Sequence, residues 1–190
     1  MYDIIEAVYD SLAQSTSEAL QDAATDFEQE MNDFFREDGI GWKMVDGKIV
    51  SRGDEEFETL TIVAAEVLAE AGYQTATQEL HQAIADLSRR PDPDLTGAIQ
   101  HSMAAMECVA RKFCGQPQPT FGKLVERYPK MLPRPLDEGV EKAWGYASEM
   151  GRHIREGRVP DREEAELIVG IAATISTYLT KKKARAEGRT

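Results

Sequence analysis

The residues best suited to chemistry lie where a stretch of helical periodicity ends in a polar run, residues 152–158. His153 comes four residues after Glu149 and seven after Tyr146, so a helix through this stretch places the three side chains on one face. The Glu149 carboxylate can orient the imidazole and favour its charged form. The spacing therefore indicates a histidine that is positioned to donate and accept protons.

Arginines surround this histidine, with Arg152 and Arg155 beside it and Arg158 following in the predicted loop. An imidazole next to guanidinium groups can shuttle protons and stabilise charge developing on phosphate, as phosphodiester cleavage requires. We predict His153, Arg152 and Glu149 as catalytic residues. The predicted contacts to phosphate are Arg155, Arg158, Tyr146 and His101. An alternative stays open, because cations at a helix C-terminus also interact with the negative end of the helix dipole.

The other two histidines lie on separate predicted helices. His101 borders the apolar stripe of its helix, where it is either a second proton carrier facing His153 or a half-buried histidine held by hydrogen bonds. His81 lies between Gln78 and Gln82 and is predicted to be exposed. The three histidines are far apart and neither cysteine has a second cysteine at zinc-type spacing, so we predict no metal site and no cofactor.

The net charge of −12 is unevenly distributed, because residues 1–39 hold eleven acids and one base. Such an acidic balance disfavours binding to duplex DNA, whose phosphates must be neutralised. Residues 1–39 either bind a basic protein partner, repel nucleic acid, or form an ordinary solvated helix face. With 190 residues and 42% hydrophobic residues, the chain is long enough for one domain with a real core, with or without an appendage.

The sequence favours a cytoplasmic protein that does not enter a membrane. The first ten residues are acidic and amphipathic, unlike a signal peptide, and no apolar run reaches the ~18 residues of a membrane span. Cys108 and Cys114 fall six residues apart on one predicted helix, too far for a disulfide, and two free thiols suit a reducing compartment.

Hydrophobic periodicity predicts an all-α protein, an antiparallel helical bundle with one small β-hairpin near 40–52. The hairpin signal is Asp46-Gly47 between two short apolar runs. The predicted helices cover 2–12, a segment that starts at the Ser15 capping box and runs to about Glu37, 55–71, 74–90, 95–114, 120–128, a segment from Leu136 through Ile154, and a final segment after Asp161. The predicted organisation is acidic helices with the hairpin in 1–52, the bundle in 53–180 and a frayed basic tail in 181–190.

Capping boxes, in which a short polar residue precedes a Glu by three positions, mark two helix starts. They are Ser15 with Glu18 and Asp161 with Glu164. After the second box, residues 167–179 are apolar on nearly every face, which predicts the central, fully packed helix of the bundle. On the preceding helix, Trp144 lies on the apolar stripe and is predicted to be in the core.

A series of short motifs carries a family resemblance. In order they are DPDLTGAI (92–99), AAME (104–107), WGYAS (144–148), RH (152–153) and EA (164–165), followed by an apolar helix that ends in Tyr178-Leu179. With this order and spacing the chain resembles the helical domain of AbiJ-type abortive-infection proteins, in the HEPN (higher eukaryotes and prokaryotes nucleotide-binding) superfamily. The resemblance covers about 92–180, with 55–90 as leading helices, and residues 1–52 match only loosely.

The resemblance implies a helical bundle, often dimeric, connected with phage defence and in many members with RNA cleavage that needs no metal. The ribonuclease motif of the superfamily is an Arg followed by four to six residues and a His. For His153 that Arg would occupy position 146, 147 or 148, where this chain has Tyr, Ala and Ser. Two hypotheses for the function follow. The first is RNA binding or cleavage in a phage-defence or toxin–antitoxin setting. The second is a non-catalytic module that binds a protein partner through residues 1–39 or forms a homodimer.

Overall fold

The computed structural model describes residues 2–38, 42–51, 55–89, 92–151 and 159–188. It confirms the predicted fold class, because the described residues form eight helices and one two-stranded antiparallel sheet. The chain divides into two compact units, Met1–Glu55 and Glu56–Thr190. None of the helices in the described ranges is long and apolar enough to cross a membrane.

The first unit consists of α1 (Tyr2–Ala13), α2 (Glu18–Glu37), β1 (Trp42–Val45) and β2 (Lys48–Ser51). The hairpin forms where it was predicted, at Asp46-Gly47, whose φ values of 48° and 76° are the left-handed values of a tight hairpin turn. A Cβ atom at Gly47 would collide with the ring of Tyr9, so this position requires glycine for two reasons.

Acidic side chains of the two helices hold this hairpin in place. Glu6 accepts a hydrogen bond from Ile49 N at 2.9 Å, and Glu28 accepts one from Gly47 N at 3.1 Å. Asn32 bonds both backbone groups of Met44, at 2.7 and 2.9 Å. Part of the acidic segment therefore has a structural role within the unit in addition to its solvated face.

Two predictions for α2 were wrong. The helix begins at Glu18 with Ser17 at its N-cap, and Ser15 instead accepts a hydrogen bond from Ser17 N at 3.2 Å, so no capping box forms there. The apolar stripe that helical spacing predicts for α2 includes Leu20 and Phe34, but both side chains are about half exposed. Helix α1 and strand β1 pack against α2 and leave these two positions of the 20-residue helix partly open to solvent.

The second unit contains α3 (Glu55–Glu70), α4 (Gln74–Leu87), α5 (Leu95–Cys114), α6 (Phe121–Arg127), α7 (Leu136–Gly151) and α8 (Arg162–Ala186). The central helix is α5, which packs against α4, α6, α7 and α8. The prediction that the last helix is central was wrong, because Leu167 on α8 is 62% exposed and Tyr178 is 36% exposed. Helix α8 also continues through the first six residues of the predicted frayed tail.

Backbone and side-chain hydrogen bonds define the helix directions. Helices α4 and α5 are antiparallel, since Asp94 N at the start of α5 donates to Asp86 O near the end of α4 at 2.9 Å. Helix α8 runs parallel to α5 because Lys183 near its end donates to Lys112 O near the end of α5, also at 2.9 Å. Helix α5 therefore packs against an antiparallel neighbour, α4, and a parallel one, α8.

The capping box of α8 is confirmed. Glu164 N donates to Asp161 Oδ1 at 2.7 Å, and Asp161 N donates to Glu164 Oε2 at 3.1 Å. We expect Asp161→Ala to lower the free energy of unfolding by about 1 kcal/mol, since Glu164 N loses the side-chain oxygen that accepts its hydrogen bond. Chemical denaturation measures the change. The control is Glu163→Ala, an exposed acid in the same turn outside the box, and equal effects of the two substitutions would contradict the assignment.

Candidate functional site

The four basic residues of the predicted catalytic cluster lie outside the residues that the structure describes. They are His153, Arg152, Arg155 and Arg158. Two predicted neighbours are described at the end of α7, where Glu149 is exposed and Tyr146 packs against the core of the second unit. The catalytic and phosphate-binding roles of this cluster stay predictions.

His101 lies on α5, facing α4, between two carboxylates. Its Nδ1 atom is 2.6 Å from Glu79 Oε2, and its Nε2 atom is 3.8 Å from Asp86 Oδ2. The imidazole is 39% exposed and so remains accessible from solvent. It matches the second of the two alternatives for this residue, a half-buried histidine held by hydrogen bonds.

The local sequence explains why these groups meet. Glu79 and Asp86 are seven residues apart on α4, which places both on one face. Gln82 donates to Asp86 Oδ1 at 2.9 Å, and Asp94 caps α5 by accepting from Gly97 N at 2.8 Å. A Cβ atom at Gly97 would come within 2.8 Å of Asp86 Oδ2, so the glycine permits the close approach of the two helices.

This cluster can relay protons but is poorly suited to phosphate. The Glu79 carboxylate orients the imidazole of His101, as in a general acid–base pair. A phosphate approaching Nε2 would meet the Asp86 carboxylate, and two carboxylates outweigh even a protonated imidazole. In the described ranges no group of three His, Cys, Asp or Glu side chains could hold a metal ion. The surroundings of His101 therefore lend no support to its predicted role in binding RNA.

The two cysteines are half-buried and free. Burial raises the pKa of both thiols. The positive charge of Arg111 partly opposes the increase at Cys108, and that of Lys183 partly opposes it at Cys114. Because the thiolate is the nucleophilic form, both side chains are weak nucleophiles at neutral pH. Neither cysteine is favoured as a catalytic group.

The pair Glu107–Arg111 looks like an ordinary i,i+4 helix pair in the sequence, but the structure gives it a larger role. The Glu107 side chain is only 9% exposed, and its Oε1 atom is 2.7 Å from Arg111 Nη2. Its Oε2 atom accepts from Phe121 N at 3.0 Å, and Arg111 Nε donates to Pro119 O at 2.9 Å. The pair joins α5 to the loop before α6. A carboxylate inside an otherwise apolar stripe was the available sequence signal.

Three lysines donate hydrogen bonds to backbone carbonyl groups at one end of the second unit. Lys112 donates to Gly72 O at 2.9 Å, and Lys182 donates to Lys130 O at 2.6 Å. Lys183 donates to Lys112 O at 2.9 Å and pairs with Glu187. Cations at helix C-termini stabilise the helix dipole. Of the three lysines at 181–183, Lys181 is thus the most exposed to a ligand in solvent.

Residues 1–67 match the family described as AbiJ N-terminal domain 4. The matched segment, here called the AbiJ-like segment, covers the first unit and continues into α3. This match supports the AbiJ part of the resemblance. It lies in residues 1–67, however, whereas the motifs that carry the resemblance in the sequence lie in residues 92–180. The comparisons with curated proteins and with solved structures found no significant match.

The net negative charge of the protein lies in the AbiJ-like segment. It contains seventeen acids and four bases, a net charge of −13, whereas residues 68–190 contain seventeen acids and eighteen bases, a net charge of +1. Phosphate ligands are repelled by the first and not by the second.

Proposed function

We propose that this protein acts in abortive infection, with the AbiJ-like segment as a recognition part and the bundle as a HEPN-type part that binds or cleaves RNA. The observation that carries the proposal is the match of residues 1–67 to AbiJ N-terminal domain 4. The charge division supports it, because RNA is repelled by a segment of net charge −13 and not by residues 68–190, of net charge +1.

Within this proposal the RNA chemistry belongs to the sequence cluster around His153. His153 is the general acid–base, Arg152 stabilises phosphate charge and Glu149 orients the imidazole. Arg155 and Arg158 bind flanking phosphates. Tyr146 and His101 contribute less than the sequence predicted, since the first packs against the core and the second faces two carboxylates.

The test uses purified full-length protein and labelled RNA pools. If His153 is the general acid–base, His153→Ala should slow cleavage by about 100-fold or more. The matched control is His81→Ala, which removes an exposed histidine of α4 and should leave the rate unchanged. Equal rates for the two variants would contradict the role of His153.

Binding is measured separately from cleavage. Binding to RNA through Arg155 and Arg158 should weaken as salt rises, because phosphate contacts release counterions. The absence of RNA binding at low salt would contradict the nucleic-acid part of the proposal and leave the AbiJ part standing.

A second candidate function is a non-catalytic module that associates with itself or with another protein. The observation that favours it is the apolar surface of α8, where Leu167 is 62% exposed. The missing arginine of the ribonuclease motif points in the same direction. In cells challenged with phage, a His153→Ala protein that still protects fully would favour this candidate over RNA cleavage.

A further inference from the structure

We propose that the second unit has a binding site for the phosphate group of a small molecule, in a cavity bordered by the ends of α3, α5 and α8. The proposal goes beyond the proposed function. It uses none of the residues around His153, and its ligand is not RNA.

The site is a cavity of about 500 Å³, here called the lysine cavity. It is bordered by the end of α3, by Tyr73 just before α4, by Lys112 near the end of α5 and by the last turns of α8. Ligand cavities in proteins have volumes of about 300 to 1,000 Å³. The lysine cavity is therefore large enough for a small organic molecule.

The lining of the lysine cavity carries a surplus of positive charge. Its cations are Lys112, Lys181 and Lys183, and its acid among the described residues is Glu70. Lysine binds phosphate as a point charge, and a phosphate monoester carries about 1.5 to 2 negative charges at neutral pH. The charge of the lining thus complements that of a phosphate group.

The three lysines differ in how many of their donors the protein already uses. Lys183 donates to Lys112 O at 2.9 Å and pairs with Glu187, so its ammonium group is held in place. Lys112 donates to Gly72 O at 2.9 Å, which uses one of the three N–H donors of an ammonium group. Lys181 is exposed and has no hydrogen bond or ion pair to another described residue. Lys112 and Lys181 therefore retain donors for a ligand.

Thr180 adds a neutral hydroxyl group at the same cavity. Other helical threonines donate to the carbonyl group four residues earlier, as Thr61, Thr77 and Thr174 do. Thr180 borders the lysine cavity and is only 3% exposed, and its hydroxyl has no hydrogen-bond partner in the described part of the chain. An unpaired buried hydroxyl costs free energy, and a phosphate oxygen that accepts from it removes that cost.

A second cavity, of about 570 Å³, shares Tyr73 and Lys112 with the lysine cavity. Arg111 and the first residues of α4 border it, and its lining contains no acid among the residues that the structure describes. Helix α4 has no side-chain cap at Tyr73, so the positive end of its dipole is not neutralised there. The charges on this side also attract an anion.

Glu70 and the size of the lysine cavity favour a small phosphate ester over RNA. The exposed Glu70 carboxylate repels the further phosphates of a strand, but it can accept a hydrogen bond from a hydroxyl group of a small ester. Inorganic phosphate fills only part of 500 Å³. We therefore expect a hydroxylated phosphate ester to bind more tightly than inorganic phosphate.

The first test titrates the full-length protein with glycerol 3-phosphate and with inorganic phosphate by calorimetry, at an ionic strength fixed with sodium chloride. We expect saturable binding of the ester at one site, with a dissociation constant of about 1 mM or lower. Lys181→Ala should weaken it by about fivefold or more, because a charged hydrogen-bond donor is lost. The control is Lys142→Ala, which removes an exposed lysine of α7 outside the cavity and should leave the affinity unchanged.

The second test examines the Thr180 hydroxyl. Thr180→Val should weaken binding of the ester by about threefold or more, without lowering the midpoint of thermal unfolding of the unliganded protein, since no protein hydrogen bond is lost. The control is Thr174→Val, whose hydroxyl bonds within its own helix and does not border the cavity. It should leave the affinity unchanged. Amide chemical shifts in the labelled protein should change at Thr180 and Lys181 as the ester is added.

The two phosphate probes distinguish the source of the phosphate group. Tighter binding of glycerol 3-phosphate supports an ester as the ligand, and equal affinities support free phosphate in the same site. The proposal would be overturned if neither probe bound saturably, or if Lys181→Ala and Thr180→Val both left the affinity unchanged. Displacement of the ester by single-stranded RNA without terminal phosphates would overturn it as well, because the cavity would then belong to RNA.

Discussion

Replacing Trp144 by Ala is expected to lower the free energy of unfolding by about 3–5 kcal/mol, one of the two largest effects among our predictions. The indole is 8% exposed, and its ring centroid is 5.0 Å from that of Phe121. The substitution removes this contact between α7 and α6 and leaves a cavity, which the surrounding helices fill only in part. The sequence predicted this residue in the core, and the structure confirms it.

The measurement is chemical denaturation followed by far-UV circular dichroism, because the variant keeps Trp42 as its only tryptophan. The control is Leu136→Ala on the same helix, where the side chain is about half exposed. It should cost no more than about 0.5 kcal/mol. A loss for Trp144→Ala as small as that of the control would show that the indole does not stabilise the core.

The second large effect is expected at Glu107, where substitution by Ala should lower the free energy of unfolding by about 3 kcal/mol. The substitution leaves the Arg111 guanidinium without its 2.7 Å partner in a partly buried site. It also removes the acceptor of Phe121 N, which then has to be desolvated without a hydrogen bond. Both losses act at the junction of α5 and α6.

Glu107→Gln separates the two contributions, since the amide oxygen can still accept from Phe121 N while the charge is lost. We expect it to lie between the wild type and Glu107→Ala in denaturation. The control is Glu141→Ala, an exposed acid on α7 whose removal should change the free energy of unfolding by less than about 0.5 kcal/mol. Equal stability of Glu107→Ala and the control would contradict the structural role of the buried pair.

Features that depend on neighbours within a few residues were predictable. Asp46-Gly47 adopts the left-handed turn conformation that this dipeptide favours, and Asp161 with Glu164 closes a capping box. In both cases the groups that bond are three or fewer residues apart, so the sequence contains all the participants. The pattern at Ser15 failed because the same residue types are also compatible with a turn, and the helix starts two positions later than predicted, with Ser17 at its N-cap.

Hydrophobic periodicity identified the apolar face of most helices, but it did not identify which other element packs against that face. Residues 167–179 contain two apolar faces, and sequence alone cannot tell a helix surrounded by its own chain from one with an open side. The structure places α5 at the centre and leaves Leu167 exposed. Which face of α8 is covered depends on how α4 and α5 pack against it, a sum of contacts between residues far apart in the chain.

The candidate sites likewise include features that follow from the sequence and contacts that only the structure shows. The sequence by itself determined the charge asymmetry, which is a matter of composition, and it predicted the cluster around His153 from residue spacing alone. Only the tertiary structure decided that His101 meets Glu79, 22 residues away, and that Glu107 meets Phe121, 14 residues away. Those contacts require two helices to pack at a particular register, and register is set by the shapes of many core side chains acting together.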